Sequence, residues 1–137
     1  MRCQTSDAVA STMLDVSYTI RTPWDSTGYE HIVRSVLGKD YDLSLVLIGN
    51  KRSRALNKEH RNKDAAANVL TFPLSDTSGE VFINVPRAKA ECSKYGFTHE
   101  GHVRFLLIHA CLHLKGLPHG SRMERAEEKL VKQFNVR

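Results

Sequence analysis

Three histidines and one glycine within eleven residues constrain this chain more than any other feature of its sequence. His109 and His113 are four residues apart, which on a helix places both imidazoles on one face. Gly116 permits the left-handed conformation that ends a helix, so the chain can turn back and present His119 to the same point. Because imidazole nitrogens bind a metal at about 2 Å, the spacing predicts a helix, a turn and one cation between three imidazoles.

The number of ligands indicates which kind of metal site this is. Structural zinc sites are usually closed, four-coordinate and rich in cysteine, whereas three histidines without a fourth ligand nearby leave one position open. Cys111 follows His109 by two residues, about 200° round the helix, so it is predicted to be a small buried apolar residue rather than a ligand. An open site of this kind supplies a Lewis acid and an activated water, which is typical of an enzyme.

Zinc peptidases share this histidine spacing, so peptide hydrolysis is one alternative. Those enzymes carry a glutamate directly after the first histidine, where it acts as general base. Ala110 occupies that position here, and the loss of a positioned base typically costs about 10²–10⁴ in rate. A phosphodiester substrate fits better, because its transition state requires positive charge, which a metal ion and an arginine from the basic segment between Lys51 and Lys63 can supply.

Length and composition predict one domain over residues 1–137, with a polar and loose first dozen residues. The balance of 41% hydrophobic and 26% charged residues is that of a globular protein. No apolar run approaches the ~20 residues that span a bilayer, and no signal peptide is recognisable. The three cysteines are odd in number and form no C-x-x-C pair. We therefore expect a soluble, reduced, cytoplasmic protein.

The apolar pattern predicts an α+β fold with a small mixed β-sheet and helices packed against it. The predicted strands are Val16–Ile20, Tyr41–Ile48, Asn68–Leu74 and Glu80–Val85, and the predicted helices are Tyr29–Leu37, Asn50–His60, Pro86–Tyr95, His99–Lys115 and a last one from Ser121. The polar loop Ser75–Gly79 predicts an antiparallel hairpin with a longer connection.

Cap residues are predicted for the helices from their sequence signatures. The predicted N-caps are Ser26 or Thr27, Asn50 and Thr98, and a capping box is predicted at Ser121-x-x-Glu124.

Other polar residues have structural interpretations beside functional ones. His102 is two turns, about 10 Å, before His109, so it is expected to pack or to support a ligand rather than to bind the same ion. His31 and His99 are expected at the surface. Asn68 either contacts the site or bonds the backbone at a strand start. The basic segment between Lys51 and Lys63 is either a solvated helix face or a surface for RNA.

Four motifs, in this order along the chain, resemble the YbeY family of bacterial metal-dependent endoribonucleases that act in ribosomal RNA maturation. They are LNKEHRNKD with NVLTFP, between Leu56 and Pro73; GEVFI, from Gly79 to Ile83; the histidine motif, from His109 to His119; and MERAE, from Met123 to Glu127. The resemblance extends from about Asp42 to Leu130, which is most of the chain.

The resemblance implies a zincin-like α+β fold with a mixed four-stranded sheet and the metal site on the long helix and the following turn. It implies one zinc ion per chain, bound by His109, His113 and His119, and a functional Arg61 that engages RNA phosphate. The implied activity is cleavage of single-stranded RNA in 16S rRNA 3′-end maturation and ribosome quality control. The implied partners are ribosomal RNA, the small ribosomal subunit and its assembly factors.

Three departures from the family pattern leave a second function open. Ala110 stands where the family usually has glycine, Ala67 where it has threonine, and Leu117-Pro118 where it has an aromatic residue and aspartate. Loss of a group that orients a ligand typically costs about 10–100-fold in metal affinity or activity. The alternative is therefore a non-catalytic ribosome assembly factor, in which the metal stiffens the helix and turn and the basic face binds rRNA.

Overall fold

A mixed four-stranded sheet with helices packed against it organises the computed structural model, which describes residues 13–21 and 23–137. The strands are β1 (Met13–Tyr18), β2 (Asp42–Ile48), β3 (Val69–Ser75) and β4 (Ser78–Asn84), and the helices are α1 (Tyr29–Leu37), α2 (Asn50–Arg61), α3 (Val85–Glu91), α4 (His99–Leu114) and α5 (Ser121–Gln133). The predicted zincin-like α+β class is confirmed. The prediction of a loose first dozen residues concerns a segment outside the described residues.

The strand order, β1-β2-β4-β3, places β3 at one edge of the sheet. β1, β2 and β4 run parallel to one another, whereas β3 runs antiparallel to β4. The predicted hairpin between β3 and β4 is present, but its predicted long connection is wrong. Ser75 pairs with Ser78, so the connection is a two-residue turn. Two side-chain contacts stabilise it: the Ser75 and Ser78 hydroxyls lie 2.8 Å apart, and Thr77 N donates to Ser75 Oγ.

Two apolar clusters cover the two faces of the sheet. The larger joins β2 and β4 to α1 and α4, and it includes residues that are fully buried, such as Leu45, Val81 and Leu107. The smaller lies under α2 and consists of Ile48, Leu56, Leu70 and Phe82. α4 therefore lies on one face of the sheet while the basic helix α2 lies on the other, with the outward side chains of α2 in solvent. That exposure agrees with the interpretation of the basic segment as a solvated face.

Several helix ends differ from the predictions. α1 follows Gly28, which is left-handed at φ +88°, so neither Ser26 nor Thr27 caps it. α2 begins at Asn50 with Gly49 as its N-cap, and the predicted Asn50 cap is wrong. α5 follows Gly120, at φ +150°, with no side-chain cap, so the predicted capping box is also wrong. The Thr98 cap is confirmed, since Thr98 Oγ1 accepts a hydrogen bond from Gly101 N at 3.0 Å.

The helix that was predicted over Pro86–Tyr95 is shorter than expected. α3 ends at Glu91, and a 3₁₀ turn over Cys92–Tyr95 follows it. His99, expected at the surface, is partly buried: its Nε2 lies 3.0 Å from the Val85 carbonyl oxygen and its ring contacts Trp24 edge-on. His31 is exposed as predicted. Among the described residues, no helix is long and apolar enough to cross a lipid bilayer.

Candidate metal centre

The end of α4 turns the chain back so that His119 approaches the two histidines of the helix. Gly116 is left-handed, at φ +109°, and its N–H donates to the His113 carbonyl. Leu117 N donates to the Leu112 carbonyl, which completes the paired bonds of a Schellman C-cap. The predicted helix stop at Gly116 is thus confirmed, and this cap sets the direction of the residues that lead to His119.

His109, His113 and His119 form one cluster whose ligand atoms all lie within 4.8 Å of one another. The ring centroids are separated by 4.7 Å for His109–His113, 5.1 Å for His109–His119 and 4.4 Å for His113–His119. Nε2 of His113 and Nε2 of His119 are 3.1 Å apart. Two nitrogens bound to one tetrahedral zinc at about 2.1 Å lie about 3.4 Å apart, so this spacing fits a shared ion.

Hydrogen bonds to the opposite ring nitrogens orient two of these imidazoles. His113 Nδ1 donates to the Leu117 carbonyl oxygen at 3.1 Å, and His109 Nδ1 lies 2.5 Å from Glu127 Oε2 on α5. Each oxygen accepts a hydrogen bond from Nδ1–H, which leaves the Nε2 lone pair of each ring for a metal. The donor set therefore suits a zinc ion, and the backbone at Leu117 orients His113 although Leu117-Pro118 brings no aspartate.

His113 stays neutral to a lower pH than a free histidine does, because its side chain is partly buried. Burial, together with repulsion from His109 and His119, lowers the pKa of His113, although the Leu117 carbonyl and Glu127 act in the opposite direction. A metal binds the neutral imidazole, so the lowered pKa removes proton competition in the neutral range.

Cys111 lies away from the cluster, as predicted. Its side chain is fully buried, and that burial raises the pKa of the thiol to about 12. Among the described residues, the group that could hold an ion contains the three histidines and leaves Cys111 out.

Arg61 shares a cavity with the three histidines. It is the last residue of α2 and donates through one Nη2 hydrogen to the Thr71 carbonyl on the edge strand β3, at 3.2 Å. Its guanidinium carbon lies 5.6 Å from the centre of the Phe72 ring. The cavity is about 380 Å³ in volume and is lined by Arg61, Asn68, Thr71, His109, His113 and His119. A guanidinium and a metal site thus face the same space, although they come from opposite faces of the sheet.

Asn68 and His102 lie near the histidine cluster, and both approach the carboxylate of Glu91. Asn68 Nδ2 donates to Glu91 Oε1 at 3.3 Å, and His102 Nε2 lies 3.7 Å from the same oxygen. Burial raises the pKa of Glu91, but hydrogen bonds from Arg87 and Asn68 outweigh it, so the net pKa is lowered. His102 is 2% exposed and does not reach the cluster, as predicted.

Glu127 is the residue whose part in the site the sequence reasoning missed. It lies within the MERAE motif, but nothing in that motif alone pairs it with a histidine 18 positions away. The one available signal is its place on the inward side of a helix that follows the histidine turn.

Known proteins with similar sequences indicate the family to which this chain belongs. Residues 19–135 match the sequence profile of the family described as Endoribonuclease YbeY. A protein named Endoribonuclease YbeY from Acholeplasma laidlawii is 28% identical over 136 residues, covering 90% of this chain and 99% of its own. One with the same name from Campylobacter jejuni strain 81-176 is 35% identical over 112 residues, covering 76% of this chain and 83% of its own.

The fold also has a match among solved structures. The solution structure of a Thermotoga maritima protein superposes with a TM-score of 0.63 over 88% of this chain and 87% of its own, at 21% identity. This likeness supports the fold, while the sequence matches decide the family. The chain belongs to the endoribonuclease YbeY family.

Proposed function

We propose that this protein is a zinc-dependent endoribonuclease that cleaves single-stranded RNA. One observation carries the proposal: the Arg61 guanidinium and the His109, His113 and His119 cluster line a single cavity. Membership of the endoribonuclease YbeY family supports the reaction, and the three imidazoles supply the ligands for one zinc per chain. The proposal assigns metal binding to the three histidines and a catalytic role to Arg61.

The residues of the cavity have separate tasks in this reaction. Zinc, when bound by three histidines, supplies a Lewis acid and activates water at neutral pH. Arg61 keeps guanidinium hydrogens for a phosphate oxygen beside the one given to Thr71, and it stabilises the charge that develops during phosphodiester cleavage. Glu127 and the Leu117 carbonyl hold the imidazoles of His109 and His113 in their ligating orientation.

The biological setting follows from the same proposal. One domain over residues 1–137 would act in the cytoplasm on ribosomal RNA, in 16S rRNA 3′-end maturation and ribosome quality control. Its partners would be the small ribosomal subunit and its assembly factors. The charge of +5 and the exposed basic side of α2 are suited to a polyanionic partner of this kind.

Cleavage of a labelled single-stranded fragment from the 3′ end of 16S rRNA tests the proposal. We expect zinc-loaded protein to cleave the fragment, and we expect a chelator or His113→Ala to abolish cleavage. Arg61→Ala should lower kcat by about 10²–10³, the usual loss when one donor to a developing anion is removed. Arg34→Ala is the matched control, because it removes the same charge from an exposed site on α1 that does not line the Arg61 cavity.

Two results would overturn the proposal in different ways. Cleavage that survives both chelation and His113→Ala would come from a contaminating nuclease. Absence of metal-dependent turnover, combined with weaker RNA binding by Arg61→Ala, would favour the alternative of a non-catalytic rRNA-binding assembly factor.

A further inference from the structure

A second cavity adjoins the candidate metal centre on the side away from Arg61. Its volume is about 270 Å³, near the lower end for small-ligand pockets, so it suits a single ring system. It shares Asn68, His109 and His119 with the Arg61 cavity, and the two spaces therefore meet at the histidine cluster. Two neighbouring groups of one ligand could therefore occupy the two cavities at the same time.

The wall of this second cavity contains a row of stacked rings. Tyr95 and His102 are nearly parallel, with centroids 5.5 Å apart and an interplanar angle of 10°. His102 and Phe105 continue the row at 6.0 Å and 8°, and Phe105 stacks on His109 at 6.4 Å. Tyr95, at the outer end, is 54% exposed although it is a large aromatic residue. Exposed aromatic rings beside a phosphate site are typical of proteins that bind unpaired bases.

The charged side chains that line the second cavity are carboxylates rather than cations. Glu124 and Glu127 line it, whereas no lysine or arginine in the described part of the chain does. Carboxylates repel phosphate, so this cavity is unsuited to the RNA backbone. They accept hydrogen bonds from the amino groups of bases, as Asp and Glu do with the N4 amine of cytosine. Phosphate would thus bind on the Arg61 side and a base on the Glu124 side.

Asn68 stands at the junction of the two cavities with its amide already oriented. Its Nδ2 donates to Glu91, while within the described residues its Oδ1 makes no hydrogen bond and is not among the buried atoms. His102 is 2% exposed and lines the same cavity, and its Nε2 lies 3.7 Å from the Glu91 oxygen that Asn68 contacts. Asn68 Oδ1 is therefore a fixed acceptor for a ligand in either cavity.

We propose that the second cavity binds one unpaired nucleobase of the RNA substrate, next to the scissile phosphate, and selects bases that carry an exocyclic amino group. Tyr95 and Phe105 pack against the base, while Glu124 and Asn68 Oδ1 accept hydrogen bonds from its amino edge. Adenine, cytosine and guanine satisfy these acceptors, whereas uracil has a single N–H and two carbonyl oxygens. This inference rests on the proposed function for the identity of the ligand as RNA.

Binding measurements test the subsite apart from cleavage. Fluorescein-labelled 2′-O-methyl pentanucleotides of adenine and of uracil would be titrated with zinc-loaded protein and followed by anisotropy, and a gel after each titration would check that the oligomers remain uncleaved. We expect the adenine oligomer to bind about tenfold more tightly than the uracil oligomer. Glu124→Gln should bring that ratio below threefold, whereas Glu128→Gln, the same change at an exposed site on α5 outside the cavity, should preserve it.

The aromatic wall is tested with a second pair of variants. Tyr95→Ala should weaken binding of the adenine oligomer about tenfold or more, the usual effect of removing a base-stacking ring. Tyr18→Ala is the matched control, because Tyr18 is 46% exposed on β1 and lines neither cavity. Each variant should bind as much zinc as the wild type, which separates loss of the subsite from loss of the fold.

The outcomes distinguish this inference from the proposed function. The subsite is overturned if the oligomers bind equally, or if Glu124→Gln and Tyr95→Ala both leave the ratio and the affinity unchanged. In that case, cleavage that is indifferent to base identity would still support an endoribonuclease. Conversely, a base preference that depends on Tyr95 and Glu124 in a protein without turnover would keep the subsite and reject the nuclease.

Discussion

Glu127 is expected to influence metal affinity through His109, without binding the ion itself. Its carboxylate orients the imidazole and increases the basicity of the other nitrogen. Glu127→Gln keeps the shape of the side chain but removes its charge, so zinc affinity should fall about 10–100-fold. A competition titration against a chelating dye would measure this change. Glu128→Gln, at the neighbouring exposed position, should bind zinc like the wild type, and equal affinity in both variants would contradict the role of Glu127.

The residues of the candidate site could be predicted from the sequence where they lie close together along the chain. The three histidines lie within eleven residues, so helix geometry and one glycine were enough to bring them together. The partners Glu127 and Glu91 were not predictable in this way. They reach His109 and Asn68 across 18 and 23 residues, through the packing of separate elements of the fold. Sequence spacing carries no information about such contacts.

Among the structural elements, the turn after α4 is the one on which the metal site depends most. Gly116 is at φ +109°, and a Cβ there would meet nothing within 4 Å, so the cost of Gly116→Ala is conformational. We expect a loss of about 1–2 kcal/mol in the free energy of unfolding. Because the turn positions His119, zinc affinity should also fall by at least threefold.

Gly28→Ala provides the control for this turn. Gly28 is likewise left-handed, at φ +88°, with open space around its missing Cβ, but it precedes α1 and lines neither cavity at the histidine cluster. Denaturant unfolding and zinc titration should show similar destabilisation in both variants and a loss of zinc affinity in Gly116→Ala alone. If both variants keep wild-type zinc affinity, the turn does not position His119.

The elements were predictable where a periodic apolar stripe was strong. The α1 and α4 helices and strand β2 were placed to within a residue or two because each buries a continuous face. The caps of α1, α2 and α5 were wrong because glycines precede these helices and take the cap position. The β3–β4 connection was wrong because Ser75 and Ser78 extend the strands beyond the apolar residues. Polar residues at element ends follow local turn geometry, which the apolar pattern does not record.

For the whole molecule, zinc should stabilise the packing of the last two helices, α4 and α5, and of the turn between them. The site joins the end of α4 to the following turn, and Glu127 connects it to α5. At free zinc of 1,000 times Kd, the free energy of unfolding should rise by about 4 kcal/mol. For a chain of this size that corresponds to roughly 10 °C in Tm. His113→Ala should abolish the rise, and a similar rise in that variant would place zinc elsewhere.

The zinc effect should also depend on pH in a definite direction. Protons compete with zinc for the imidazoles, so the rise in Tm should shrink as the solution becomes acidic. The lowered pKa of His113 keeps this imidazole neutral to a lower pH than a free histidine, so the loss of zinc stabilisation is expected between neutral and acidic solution. Calorimetry with and without zinc across this range would measure it. A constant rise into strongly acidic solution would contradict histidine ligation.

Cys111, in the main core, should make the whole molecule less stable in alkaline solution. Burial raises the pKa of its thiol to about 12, whereas an unfolded thiol ionises near pH 8.5–9. Between these values the unfolded chain loses a proton that the folded chain keeps, so the free energy of unfolding should fall with rising pH, by up to about 1.4 kcal/mol per pH unit.

Other groups also titrate there, so the comparison that isolates Cys111 is with Cys111→Ala. Denaturant unfolding from pH 8 to 10.5, with chelator present, should give a shallower slope for Cys111→Ala than for the wild type or for Cys92→Ala, which removes a partly exposed thiol. Parallel slopes in all three proteins would mean that the core admits the Cys111 thiolate or opens before it ionises.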